Sequence, residues 1–132
     1  MTPLEEGSRA LVVDDSRATR RILGRMLAEI GFAVTEAENG KEALATLTAD
    51  EQPFDLALVD WNMPEVDGIE LVKAIRADAA FDGLKVLMVT TEADIDHMMI
   101  ALDAGADEYA MKPFTAAVIR EKLALLGIGE PV

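Results

Sequence analysis

The sequence predicts an α/β domain: a doubly wound parallel sheet of five strands alternating with five helices. Two observations carry this. Short runs of consecutive apolar residues, at 10–13, 56–59 and 86–89 for example, each stop at a polar residue, and apolar residues at helical spacing follow. Strands apolar at every position need cover on both faces, which is the condition of a parallel sheet between two helical layers.

The elements follow in order. Residues 10–13 stop at Asp14, Asp15 and Ser16, after which Ile22, Leu23, Met26, Leu27 and Ile30 recur at helical spacing. Ser16 is a natural N-cap and Gly31 a natural stop, giving a helix over about 17–30. A second strand at 32–36 leads through Asn39 and Gly40 to a helix over 41–48. The third strand, 56–59, ends at Asp60; the loop from Trp61 to Gly68 follows, including Met63, Pro64, Glu65, Val66 and Asp67, then a helix carrying Ile69, Leu71, Val72 and Ile75. Strand 86–89 ends at Thr90 and Thr91 and gives way to a helix over about 93–104. Strand 108–111 meets Lys112 and Pro113, and the last helix covers about 115–126, with 127–132 expected as a frayed tail.

A chain of 132 residues fits one domain, expected to occupy 1–132, because domains commonly hold about 100–150 residues. No apolar run approaches the roughly 20 residues a membrane-spanning helix requires, and residues 1–7 lack the basic-then-apolar order of a secretory signal. A cytoplasmic monomer without membrane insertion is expected. Cysteine is absent, so thiolate sites are excluded and any metal is expected to sit on oxygen. A formal net charge of −13 argues against nucleic acid, whose phosphates require clustered Lys and Arg.

Ligands of open α/β sheets bind beyond the carboxyl ends of the strands. The residues there are Asp14 and Asp15, Asp60, Thr90 and Lys112. Three carboxylates brought together repel one another unless a cation neutralises them. Magnesium suits such a set, since it takes one or two carboxylates together with waters and phosphate oxygens. Lys112 offers a compact positive charge and Thr90 a hydroxyl donor, so the group fits phosphoryl transfer.

The pair Asp14-Asp15, the run 56–60 with Met63-Pro64 and Asp67-Gly68, Thr90, and Lys112-Pro113-Phe114 together resemble the receiver domains of two-component response regulators. Residues 87–90, Glu92-Ala93 and 112–117 are most similar to the single-domain chemotaxis type called CheY. The resemblance, rather than the residue pattern, implies a flavodoxin-like strand order of 2-1-3-4-5. It also implies that Asp60 is the phosphoacceptor, attacking a phosphohistidine on a sensor histidine kinase or a histidine phosphotransfer protein. Asp15 and Asp60 would hold Mg2+ directly, Asp14 directly or through water, with the main-chain carbonyl of Asn62 as a further ligand. Thr90 and Lys112 would bind the phosphoryl oxygens, and Asn62 and Glu92 would tune the rate of hydrolysis. Such a chain is a switch that catalyses only its own phosphorylation and dephosphorylation and then changes its affinity for a partner, such as a flagellar motor switch protein. A phosphate sink or relay shuttle is the alternative.

Plainer readings exist for each residue taken singly. Asp14 and Asp15 could cap the first helix, and Lys112 could be solvated unless the bond to Pro113 fixes a turn that aims it inward. Trp61 is expected as a cover for the acid pocket, Gly68 and Gly105 as turn and helix-end residues, His97 as a surface histidine, and Arg20, Arg21 and Arg25 as a solvated face. A flavodoxin-like cofactor carrier would need a Ser/Thr/Gly-rich loop where Asp14-Asp15-Ser16-Arg17 stands. A haloacid-dehalogenase-type phosphatase would carry an Asp where Asn62 stands. For output, the helix after Thr90 has more apolar arc than one buried face needs. Ile95, Met98 and Leu102, with Tyr109 and Met111, are expected to form or border a partner groove, and Tyr109 to turn inward on phosphorylation.

Overall fold

The computed structural model describes residues 7–49, 52–64, 66–92 and 94–128. Glu65, Ala93, and the expectations for residues 1–6 and 129–132 lie outside them. The strands are β1 (Arg9–Val13), β2 (Ala33–Ala37), β3 (Leu56–Val59), β4 (Lys85–Thr90) and β5 (Glu108–Met111). The helices are α1 (Arg17–Ile30), α2 (Gly40–Ala49), α3 (Gly68–Arg76), α4 (Ile95–Ala104) and α5 (Ala116–Leu125), with a 3-10 turn at Ala79–Phe81 that the sequence pattern did not indicate. All pairings are parallel, and the strand order is β2-β1-β3-β4-β5. This is the doubly wound, flavodoxin-like arrangement, in the order the resemblance implied.

Alternation along each strand sends side chains into two separate cores. Ala10, Val12, Leu56, Leu58, Leu87, Val89 and Ala110 pack with Leu23 and Leu27 of α1 and Ile119 and Leu123 of α5. Leu11, Val13, Ala57, Val59, Val86, Met88 and Tyr109 face Leu47 of α2, Leu71, Val72 and Ile75 of α3, and Ala101 of α4. Each fully buried Leu or Ile contributes about 1.5–3 kcal/mol. The central strands are therefore sealed on both sides, which leaves the sheet's ends and the helix exteriors as the accessible surfaces.

Local signals set the helix limits. Ser16 accepts the Thr19 N–H and caps α1, and Gly31, at φ 124°, closes it. Asp67 and Glu70 make a reciprocal capping box on α3. Several expected boundaries shift. Phe32 is not in β2: its N–H bonds back to the Leu27 carbonyl and its ring is buried in the α1 core. Thr90 belongs to β4 instead of following it. In the described residues α4 begins at Ile95, because Asp94 caps it through the His97 N–H. Thr115 is likewise the cap of α5, not its first residue. The tail is not frayed from 127, since the Ile128 N–H bonds to the Leu123 carbonyl and its side chain packs against the α1–α5 core.

The register sets up the site. Val13 pairs with Val59, Val59 with Met88 and Met88 with Tyr109, so these four residues form one rung. Asp14 and Asp60 come one residue beyond it. Thr90, paired with Met111, stands one residue further, and Lys112 follows.

Candidate functional site

Asp14, Asp15 and Asp60 each offer a carboxylate oxygen, and the three oxygens lie within 4.8 Å of one another. Asp14 and Asp60 are buried and Asp15 is exposed, so the cluster opens to solvent on one side. Main-chain bonds hold the two buried members: the Asp60 N–H donates to the Val13 carbonyl at 2.9 Å, and the Asp14 N–H to the Ala37 carbonyl at 3.2 Å. The Asp14 side chain also accepts the Ser16 N–H at 2.8 Å. It thus shapes the entry to α1 while facing the pocket, and the capping and functional readings of this residue coexist.

Lys112, leaving β5, reaches across the strand ends. Its Nζ stands 2.8 Å from Asp14 Oδ2 and 3.4 Å from Asp60 Oδ2. The Lys112–Pro113 peptide is cis, and the Lys112 N–H donates to the Thr90 carbonyl at 2.9 Å. Burial raises the pKa of Asp60, with repulsion from Asp14 adding to it and Lys112 opposing it. Burial on its own would lower Lys112, but the hydrogen bond to Asp14 and the charges of Asp60 and Asp14 outweigh it and hold the ammonium above its ordinary value. One lysine thus serves two buried carboxylates and a third nearby. The excess of negative charge and the all-oxygen donor set fit a hard divalent cation such as Mg2+, with Asp14, Asp15 and Asp60 as the residues to hold it.

Thr90 is fully buried and its Oγ1 accepts the Glu92 N–H at 3.3 Å, leaving the hydroxyl hydrogen free to donate. The Asn62 side-chain amide donates to Glu92 Oε1 at 2.9 Å, joining the two expected rate-tuning positions at the rim. Gly68 does more than turn the chain. A Cβ there would collide with the Asp60 carbonyl oxygen, so α3 starts directly against the backbone of the central aspartate. Gly105, at φ 117°, closes α4 and lies against the Arg76 side chain.

Other placements differ from expectation. Arg20 is not part of a solvated face: its guanidinium donates to the Asp14 carbonyl at 2.7 Å and to Glu36 at 3.1 Å. Arg21 and Arg25 are exposed beside a groove containing Ile22 and Met26. Trp61 is half-buried against the α3-side core and meets His97 edge-on, with ring centroids 4.8 Å apart at 68°. His97 is consequently more than a solvated histidine. Its link to the rim passes through side chains that no local pattern shows, although the spacing Asp94-x-x-His97 does indicate the cap. On the face expected for output, Ile95 (74% exposed), Leu102 and Met111 are exposed, as are Met99 and Ile100. Met98 is half-buried against the core. Tyr109 is only 3% exposed and turned inward in this structure, its hydroxyl donating to the Glu92 carbonyl. Burial pushes its phenol up to about 12, with Glu92 and Asp94 adding to the shift. A hollow of about 570 Å³ containing Leu47, Phe54 and Phe81 lies at the opposite, N-terminal edge of the strands, away from the carboxylates.

A buried aspartate flanked by two further carboxylates and a lysine thus lies at the carboxyl edge of a 2-1-3-4-5 sheet, where open α/β sheets bind their ligands. The family model for the response regulator receiver domain matches residues 10–124. A chemotaxis protein CheY homolog of Campylobacter jejuni is 46% identical over 121 residues, covering 90% of this chain and 92% of the relative. Among solved structures, Vibrio cholerae chemotaxis protein CheY4 superposes with a TM-score of 0.82 at 32% identity, covering 90% of this chain and 98% of that one. The Thermotoga maritima response regulator TrrA, solved in complex with Mg(2+)-BeF, gives 0.78 at 33% identity, covering 90% and 98%. The chain belongs to the response regulator receiver domain family, and within it to the CheY type. No helix among the described residues is long and apolar enough to cross a membrane.

Proposed function

We propose that this chain is a phosphorylation-driven signalling switch whose acceptor is Asp60. The observation that carries the reading is the pairing of Lys112 Nζ with both Asp14 and Asp60 inside a three-carboxylate pocket. A carboxylate oxygen of Asp60 attacks the phosphorus of a phosphohistidine; the P–N bond breaks, the imidazole leaves, and an acyl phosphate forms. Burial makes the Asp60 carboxylate more basic and so more nucleophilic, while Lys112 favours its ionised form. Mg2+ bound at Asp14, Asp15 and Asp60, with the Asn62 carbonyl, would neutralise the charge carried by the phosphoryl oxygens. Lys112 and the Thr90 hydroxyl then take hydrogen-bonding positions toward those oxygens. The Mg(2+)-BeF complex of the Thermotoga relative supports the metal assignment.

Output runs through Thr90. Drawing its hydroxyl toward the phosphoryl group alters its bond with the Glu92 N–H, and the Glu92 carbonyl is the acceptor of Tyr109. Since Tyr109 is already inside, phosphorylation deepens an existing population instead of creating one. The surface that reads it is the exposed stripe Ile95, Met99 and Leu102 with Met111; Met98 lies beneath it. The chain works in the cytoplasm as a monomer, takes its phosphoryl group from a histidine kinase or phosphotransfer protein, and acts on no outside substrate. Relatives named as chemotaxis proteins support a role in chemotaxis, with a target such as a flagellar motor switch protein; service as a phosphate sink or relay shuttle is the second reading.

The test is labelling with acetyl phosphate and Mg2+. Wild-type protein should gain one phosphoryl group per chain and Asp60→Asn none, because an amide cannot form the acyl phosphate. Stoichiometric labelling of the variant would place the acceptor elsewhere.

A further inference from the structure

At the mouth of the acid pocket the only histidine of the sequence faces a carboxylate with each ring nitrogen. Its Nδ1 is 2.6 Å from Asp94 Oδ1 and its Nε2 is 3.5 Å from Glu92 Oε2. A neutral imidazole carries one N–H and can donate to only one of these groups, whereas the imidazolium donates to both. The ring is fixed from the side by Trp61, the residue directly after Asp60, and from below by the cap in which the His97 N–H donates to the same Asp94 oxygen at 2.8 Å. Glu92 is divided between two partners: Oε2 faces His97, and Oε1 accepts the Asn62 amide. A continuous path therefore runs from His97 through Glu92 to Asn62, on the rim two residues past Asp60.

We propose that His97 is a positioning residue for the phosphoryl chemistry at Asp60: its imidazolium holds Glu92, and through Glu92 the Asn62 side chain, closed over the pocket mouth. The proposal rests on the assignment of Asp60 as acceptor. In hydrolysis a water oxygen attacks phosphorus, the P–O bond to Asp60 breaks, and the aspartate leaves as a carboxylate with inorganic phosphate as the other product. Water must enter past the rim. With His97 charged, Glu92 is neutralised and held, and the Asn62 amide stays across the entrance. When His97 loses its proton, Glu92 and Asp94 compete for a single N–H, the hold on Asn62 loosens, and water enters more freely.

The groups that face the ring set its titration. The hydrogen bond to Asp94 raises the pKa of His97 above its ordinary value of 6.5; desolvation opposes it, and the charges of Asp94, Glu92 and Asp96 add to the rise. Trp61 and the Tyr109 phenol, which donates to the Glu92 carbonyl, complete the surroundings. Tyr109 stays neutral across the range in which His97 titrates, since its own pKa is pushed up to about 12. The phosphoryl lifetime thus shortens as pH rises through a midpoint above 6.5.

The experiment is the hydrolysis rate of protein labelled with acetyl phosphate and Mg2+, freed of donor and followed from pH 6 to 9, for wild type and His97→Gln. Wild-type hydrolysis should accelerate by roughly two- to fivefold across the range, the scale of a half-exposed ion pair. His97→Gln should follow a flat profile at the fast limit, and its thermal stability separates this from misfolding. In parallel, NMR on the unlabelled protein follows the His97 ring and the Asn62 side-chain amide. The Asn62 signal should titrate with the His97 midpoint in wild type and stay still in His97→Gln. Superimposable hydrolysis profiles for the two proteins, or an Asn62 signal indifferent to His97, would overturn the proposal. Failure of wild-type protein to label at Asp60 would sink the acceptor assignment instead, and the Asn62 titration would still decide whether the clamp exists.

Discussion

Replacing Gly68 with alanine adds a single methyl group, yet it should disturb both stability and chemistry. The new Cβ would run into the Asp60 carbonyl oxygen and come within 2.8 Å of Trp61 Cα and 2.9 Å of the Asp60 carbonyl carbon. These are backbone atoms, so no rotamer change relieves the contact. Either the first turn of α3 lifts, losing the bond from the Gly68 N–H to the Trp61 carbonyl, or the segment carrying Asp60 moves. Overpacking of this kind costs about 1–3 kcal/mol. With an unfolding entropy of about 2.1 cal/mol/K per residue, a 132-residue chain should lose roughly 4–11 °C in Tm. Displacing the acceptor by a fraction of an ångström should also slow labelling by acetyl phosphate about tenfold, given that a shift of about 1 Å can cost 100-fold. Gly83→Ala is the control: nothing lies within 4 Å of its Cβ, so its stability should stay within about 1 kcal/mol of wild type. Thermal unfolding by far-UV circular dichroism, paired with initial labelling rates, makes the comparison. A Gly68→Ala protein with wild-type Tm and labelling rate would refute the idea that α3 pins the acceptor's backbone.

Three further outcomes follow from the pocket's charges. Because the pKa of Asp60 is raised in the fold, the folded protein binds more protons than the unfolded chain between the ordinary 3.8 and the raised value, so this residue lowers stability as pH climbs through that window. Metal-free Asp60→Asn should therefore melt above wild type at neutral pH, with the advantage vanishing below about pH 3.8; a deficit at pH 7 would contradict the sign. Asp15→Asn should weaken Mg2+ binding about fivefold or more by titration calorimetry, since even a well-solvated unit charge near a cation contributes about 1–4 kcal/mol, and its metal-free Tm should hold or rise. A large loss of Tm would make Asp15 a structural residue. Lys112→Arg should still label but lose much of its switching, because the broader guanidinium cannot sit between Asp14 and Asp60 as the ammonium does. Undiminished phosphorylation-induced shifts in the Tyr109 and Met111 amide signals would rule out that coupling role.

The fold was legible because its strands announce themselves: Leu56, Ala57, Leu58 and Val59 are apolar at four successive positions and all are buried, and only a doubly covered strand requires that. The edge strand β2 was read one residue early. Phe32 is apolar like a strand residue, but it fills the α1 core from a loop, and hydrophobicity does not distinguish the two. The pocket was legible because its members follow strand ends, where parallel register brings them together. The rim was not. The contacts of Glu92 with Asn62 and His97 depend on how the loop after Thr90 folds over the one after Asp60, and neither loop has a periodicity to read. Gly68 was underestimated for a related reason: a glycine at a helix start looks like a turn residue until the neighbouring backbone is in place.

The sheet also acts as a partition. Among the described residues, the buried side chains of the α1–α5 compartment and of the α2–α3–α4 compartment form two separate clusters with the strands between them, so substitutions confined to opposite sides should combine additively. Each side can then drift in sequence without disturbing the packing of the other. The face around α4, which carries Ile95, Met99 and Leu102, can therefore be altered without repacking the interior behind α1. Lys112, which ties the ends of β1, β3 and β5 together through Asp14 and Asp60, is a residue whose replacement should break that independence.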